Sequence, residues 1–267
     1  MSEALLWTQR IASVSVMLQA LEFFKMRHSL KSSRGGIWDW RIIRQEFAVY
    51  PRIIQSILDF FLGYPGFIFL LCIQLIAAVS ILISPHPVAF CALFAGSVLI
   101  CLRWRGTFNG GSDFMTLIVL MALCVSSFFP ENPKVQIGCL GYIALQSCVS
   151  YFLAGWVKIR KKNWRTGKAL RGFLASSIYE PNWTTRWIIQ QPVVAFLLSW
   201  GVLVFECSFP LALFFPDLCL IWIGTGLTFH LGNAYILGLN RFVWAWAATY
   251  PALFYFSSQY LAMLVQH

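Results

Sequence analysis

Three groups of residues in this 267-residue chain are of types and spacings that could do chemistry. Glu206 is the one charge in the apolar run VLVFECSFPLALFF, and in GTGLTFHLGNAYILGL His230 and Asn233 stand at i and i+3, on one face of a helix. Burying such groups in hydrocarbon is costly, so their default place is a site that faces other helices. If the two runs form a hairpin about the 215–217 turn, Glu206 lies about 10 and His230 about 14 residues from the corner, a depth difference of ~6 Å at about 1.5 Å per residue. The carboxylate and the imidazole can therefore meet, with Gly224, Gly226 and Gly232 allowing close helix approach. Such a pair can share a proton or orient the ring; it can equally be a structural hydrogen bond that sets helix register.

The second group lies in YFLAGWVKIRKKNWRTGKALRGFL (151–174), where an apolar run ends and releases Lys158, Arg160, Lys161 and Lys162, followed by Trp164 and Gly167. As the first charge leaving the hydrocarbon, Lys158 is partly desolvated, which moves an ammonium toward the range where it acts as a base. The alternative is a basic helix end placed by topology, with Trp164 at the headgroups. The third group is RWRGTFNGGSDFMTL (103–117). Asn109-Gly110-Gly111 permits positive φ, so Ser112 or Asp113 can cap a helix opening at Phe114, or Asn109 and Asp113 can face a cavity.

These residues must be positioned by elements suited to a bilayer. Hydrophobic residues make up 59% and charged residues 11% of the chain, and the mean hydropathy is +0.70, the balance of a polytopic membrane protein. The net charge of +10 is gathered in blocks between apolar runs instead of along one amphipathic surface, which argues against nucleic acid as a partner. The eight cysteines sit mostly inside apolar runs without C-x-x-C spacing, so reduced, packed thiols are expected, with neither disulfides nor a metal site. No cleavable signal peptide is expected, because the first run carries Arg10, Gln19 and Glu22 and has no small-residue cleavage site.

Runs long enough to span fall at 66–84, 87–103, 113–130, 134–157, 192–215, 217–238 and 242–263. An eighth, 5–24, contains Gln9, Arg10, Gln19 and Glu22 and is either a span packed on other helices or an interfacial helix. The expected fold is thus an all-α transmembrane bundle of about eight spans, seven if the first is interfacial, in a single domain over 1–267. Corners at Pro85-His86-Pro87, Pro130/Pro133 and Pro216-Asp217 imply antiparallel neighbours. Segment 25–65, with WDWRIIRQEF and YPRIIQSILDFF, has rough helical periodicity and predicts short interfacial helices. A basic, aromatic-rich surface of that kind can also dock anionic lipid or another subunit. Seven Lys and Arg residues lie between the first two runs and eight in 158–186, while the opposite turns hold only Lys134. The positive-inside rule then puts the basic connections in the cytoplasm, and Asn182-Trp183-Thr184, a glycosylation sequon in form, would lie on that side as well.

The order of these groups resembles the HTTM family, to which the membrane domain of vitamin K-dependent gamma-glutamyl carboxylase belongs. The resemblance rests on Tyr151-Phe152-Leu153-Ala154-Gly155, then Lys158, Trp164 and Gly167, an acidic residue in the next span at Glu206, Phe229-His230 with Asn233, and Pro251 to Phe254. It covers residues 100–256, with NGGSD (109–113) at the place of an Asn-x-His-Ser sequence. The resemblance implies that Lys158 is a base acting on a quinone-like or lipidic molecule, that His230 lies near the same cavity, and that the setting is a bacterial inner membrane. It also suggests modification of an exported peptide by a multi-subunit machine. Two functions follow: a small HTTM enzyme in which Lys158 or His230 moves a proton beside Glu206, Asn233 and the 109–113 turn, or a non-catalytic membrane subunit or scaffold that docks partners on 25–65 and 158–187. A transporter is disfavoured, since no pair of discontinuous-helix repeats is visible.

Overall fold

The computed structural model describes residues 1–32, 39–104, 111–176 and 182–260; among them the chain is helical throughout, with no strand. It divides into two compact units, Ser2–Cys139 and Leu140–His267.

The first unit begins with α1 (Ser2–Lys25) and α2 (Arg27–Ser32), continues through α3 (Trp40–Ile43), a 3₁₀ turn (Arg44–Phe47) and α4 (Arg52–Leu62), and then runs into α5 (Gly66–Ile83), α6 (Pro87–Arg103) and α7 (Gly111–Ser127). α1 packs on α5 and α7, and its polar residues Thr8, Gln9, Ser13, Ser15 and Gln19 are buried. The doubtful first run is therefore a helix held against others through its polar side. Ser15 Oγ meets Thr116 Oγ1 at 3.3 Å, and Gln19 Nε2 donates to Asp113 Oδ1 at 3.0 Å. Gln74 of α5 donates to the Ala92 and Leu93 carbonyls of α6 at 3.0 and 3.3 Å. Interhelical bonds of this kind hold helices together where lipid offers no hydrophobic drive. Short helices do form in 25–65, with Trp40, Ile43, Leu58 and Leu62 in one core with Phe23, Phe67 and Ile100. Beside them, buried Arg103 has its guanidinium 5.4–5.9 Å from the Trp40, Phe67 and Trp104 ring centres.

The long helix α8 (Pro133–Ile159) leads into the second unit, which continues with α9 (Lys162–Arg165), α10 (Lys168–Leu174), α11 (Trp183–Gln190), α12 (Pro192–Ser208), α13 (Leu211–Phe214) and α14 (Pro216–Leu237). It closes with α15 (Asn240–Ala247), α16 (Tyr250–Tyr255) and a π-helical turn (Phe256–Tyr260). Prolines open α12, α14 and α16, where a missing N–H costs nothing. None of the eight cysteines is in a disulfide.

Among the described residues, three helices, α5, α8 and α14, are long and apolar enough to cross a membrane, and α11 with α12, bent by 103° at Gln191, makes a fourth if the pair is one span. α6 and α7 match expected runs but have 17 residues each. Two expected spans are interrupted. Run 192–215 stops at Ser208 and resumes as α13 after Phe209-Pro210, and run 242–263 is cut between Ala247 and Tyr250, just before Pro251. In both places a proline ring removes the amide that would continue the helix. Pattern-matching of apolar length overlooked these breaks because the proline lies inside a run that stays apolar on both sides.

Candidate functional site

The site is built on one stripe of α8. Tyr151, Gly155 and Lys158 fall at i, i+4 and i+7 and so share a face. Gly155 lets α12 come close: a Cβ there would lie 2.8 Å from the Cys207 backbone nitrogen and 2.8 Å from Glu206 Cβ. At that approach Lys158 Nζ donates to Glu206 Oε1. The carboxylate side chain is 3% exposed and the lysine side chain 23%, so the pair runs from the interior toward its edge. The ammonium also stands 5.3 Å from the Trp164 ring centre, a cation–π distance.

Trp164 is held in place by the turn that follows α8. Gly167 adopts φ of 73°, a left-handed conformation that favours glycine, and a Cβ there would lie 2.8 Å from Phe196 Cα and N on α12. Ser199 Oγ donates to the Trp164 carbonyl and Trp200 Nε1 to the Arg165 carbonyl. Part of the basic 158–186 segment is thereby folded onto α12, and Asn182 caps α11 by accepting from the Thr185 amide at 2.9 Å.

One α8 turn before Gly155, the Tyr151 hydroxyl lies 2.6 Å from His230 Nε2 and 3.0 Å from the Tyr250 hydroxyl. Gly226, one turn before His230 on α14, makes room for both phenols: a Cβ there would be 2.6 Å from Tyr250 Oη and 3.3 Å from Tyr151 Oη. An aromatic wall closes round the ring, with Trp246 4.8 Å and Phe242 6.1 Å from the imidazole centre. Phe205, next to Glu206, sets its ring edge to Tyr151 at 5.2 Å, so the two polar pairs share neighbouring positions along α8. Among the described residues, buried Glu206 Oε2, His230 Nδ1 and Trp246 Nε1 have no hydrogen-bond partner. An unpaired polar atom in such surroundings is costly and calls for a water or a polar ligand atom.

The sequence-derived residues are distributed as follows. Lys158, Glu206 and His230 are brought into one region, but the bond expected between Glu206 and His230 is replaced by Lys158–Glu206 and Tyr151–His230. Depth along a hairpin was the basis of that expectation, and it ignored α8, whose tyrosine and lysine reach the two groups first. Asn233 is half-buried; its carbonyl accepts from the Gly238 and Leu239 amides at the end of α14. Of the three α14 glycines, only Gly226 has a neighbour that a Cβ would meet. Asp113 is buried in the first unit, inside a helix that opens at Gly111 and not at Phe114, with Gln19 as a partner. Asn109 lies outside the described residues. Tyr250 was missed altogether, and Tyr151 was seen only as part of a pattern. Its spacing of seven from Lys158 was the available signal, whereas nothing local marks Tyr250, 99 residues away from Tyr151.

Fold and site together define an α-helical membrane protein with ionisable side chains paired inside its apolar helices. Residues 126–258 match the family model described as the HTTM domain, and the chain belongs to that family. No curated protein and no solved structure matches it.

Proposed function

We propose that the second unit carries the reaction centre of a small HTTM-family membrane enzyme that handles a quinone-like or lipidic molecule. Lys158 and His230 are the proton-moving groups of that centre. The observation that carries this reading is the pair of unpartnered buried atoms, Glu206 Oε2 and His230 Nδ1, on residues whose other polar atoms are held by Lys158 and Tyr151. Each side chain is fixed at one atom and leaves the other for a ligand or a transferred proton. The Lys158–Glu206 contact sets a proton donor directly on an acceptor, which gives a ligand bound at this edge a proton path between the two groups. Asn233, one turn after His230 on α14 and half-buried, is the further polar group this reading assigns to the ligand. Any quinone would supply the redox chemistry, while the protein's part is to bind, orient and exchange protons.

The same reading takes the membrane to be a bacterial inner membrane with the basic connections in the cytoplasm, supported by the one-sided Lys and Arg distribution. Modification of an exported peptide alongside other subunits is the proposed context. A second reading, a non-catalytic subunit or scaffold, is favoured by a different observation: each polar pair joins two helices, as a register-setting device would. Its partners would dock on 25–65 and 158–187.

Tryptophan quenching by a short-chain naphthoquinone, in purified protein held in nanodiscs, tests the enzyme reading. Saturable quenching is expected, weakened at least about tenfold in Lys158→Met and His230→Gln, as loss of a charged or buried hydrogen bond implies. Quenching that is absent from the parent protein, or identical in both variants, rejects that reading. Stoichiometric co-purification of other chains in mild detergent supports the second reading, and a solitary protein counts against it.

A further inference from the structure

α4 has two long sides with opposite fates. Leu58 and Leu62, one turn apart, are buried with Trp40, Ile43, Phe67 and Leu70. Asp59 between them accepts from Trp40 Nε1 at 2.8 Å and from Arg44 Nη2 at 2.6 Å. Those contacts fix the rotation of the helix. The opposite stripe, Ile53, Ile57 and Phe60, follows spacings of four and three, and is 71%, 49% and 60% exposed. Val49, just before the helix, is 86% exposed. An apolar stripe of this extent marks an interaction surface.

What covers it is indicated by the neighbouring helix. The Phe60 ring meets the Phe69 ring edge-on at 6.3 Å, and Phe69, Ile76 and Ile83, spaced by seven along α5, are 53%, 70% and 81% exposed. α5 is the most apolar of the helices able to cross a membrane, so its outward stripe faces lipid. The α4 stripe is continuous with it. With 11 residues α4 is too short to cross, and a helix with an apolar outer side and polar flanks lies along the bilayer boundary. Arg52, exposed in its first turn, has no ion pair among the described residues, whereas Arg41 and Arg44 are paired with Asp39 and Asp59. An arginine so placed suits a lipid phosphate.

We infer that the Ile53/Ile57/Phe60 stripe of α4 is a phospholipid-binding surface that anchors the first unit at the membrane boundary, with Arg52 at the headgroup level. The inference rests on the membrane placement of α5 and is independent of the chemistry at Lys158. The test replaces Ile57, Phe60 or, as a control across the helix from Ile57, Gln55 by benzoylphenylalanine in the full chain. Irradiation in nanodiscs of phosphatidylethanolamine and phosphatidylglycerol, followed by intact-mass measurement, reads the adducts. Phospholipid adducts at 57 and 60 several-fold above those at 55 are expected; lipid adducts no more frequent than at 55 overturn the inference. Irradiation in native membranes is the second arm, where a protein adduct at 57 and 60 in place of lipid also overturns it. The Phe60 replacement preserves an aromatic ring, so folded protein is retained for the measurement. Arg52→Gln should lower the phosphatidylglycerol share of the adducts, and an unchanged share contradicts the headgroup assignment.

Discussion

The two units solve the problem of polar groups inside apolar helices in different ways. In the first, the buried polar side chains are mostly amides and hydroxyls that bind one another or a neighbouring backbone: Gln74 to the α6 carbonyls, Gln136 to Ser126 and Phe129, Ser15 to Thr116. Its buried charges are Asp113, clasped by the Gln19 amide, Asp39, bound by exposed Arg41, and Arg103, set among the Trp40, Phe67 and Trp104 rings. In the second, the interior holds ionisable groups paired with each other: a lysine on a glutamate, and a histidine on a tyrosine that in turn meets a second tyrosine. Amides and hydroxyls suffice to join helices. A lysine–carboxylate pair brings a desolvation cost that amides avoid, so its presence needs a reason beyond adhesion. On the proposed function, that contrast separates a unit built for packing from one that holds the proton chemistry.

The sharpest way to break the contrast is to strand the buried carboxylate. Lys158→Met leaves Glu206 without its cation, and removing one partner of a buried pair costs about 3–5 kcal/mol, read as a lower unfolding temperature in detergent; no change would mean that the pair is not closed in the folded protein. Gly155→Val comes next. Its side chain would enter the space of Glu206 and Cys207, an overpacking cost of about 1–3 kcal/mol, and the same unfolding measurement should show it alongside loss of naphthoquinone quenching. Tyr151→Phe removes the hydroxyl that joins His230 to Tyr250, leaving buried partners unsatisfied at about 1–3 kcal/mol. Restoration of quenching in this variant by a second-site change at Tyr250 alone would argue against Tyr151 as the group that positions the imidazole. Smallest of all is Ser15→Ala in the first unit, which removes the hydroxyl contact to Thr116, where an interhelical hydrogen bond in a membrane averages about 0.6 kcal/mol. Naphthoquinone quenching should stay at the parental level.

Much of the frame was legible in advance. α5, α8 and α14 begin and end close to the expected bounds, because proline corners and unbroken apolar runs speak in the same place. The breaks at Pro210 and before Pro251 were less legible: an apolar run gives no hint that its helix stops, and only the proline chemistry does. At the site, Lys158, Glu206 and His230 could be singled out because a charge or an imidazole in a hydrocarbon-like run is conspicuous. Their partners could not be derived from depth alone. A tyrosine is at home in any apolar run, so Tyr151 and Tyr250 carry no composition signal, and their meeting depends on how α8, α14 and α16 pack. Gly226 shows the same limit from the other side, since its neighbours Gly224 and Gly232 look identical in sequence yet meet no neighbour a Cβ would touch.

The double variant Lys158→Met with Glu206→Leu tests the central claim most directly, because it removes both charges and leaves an apolar pair of similar bulk. If the pair is there for chemistry, the unfolding temperature stays at or above the parental value, as replacement of a buried ion pair by apolar residues allows, while naphthoquinone quenching is lost. A double variant that unfolds far more easily yet binds naphthoquinone as the parent does would show that the pair serves the packing of the helices, and would contradict the account.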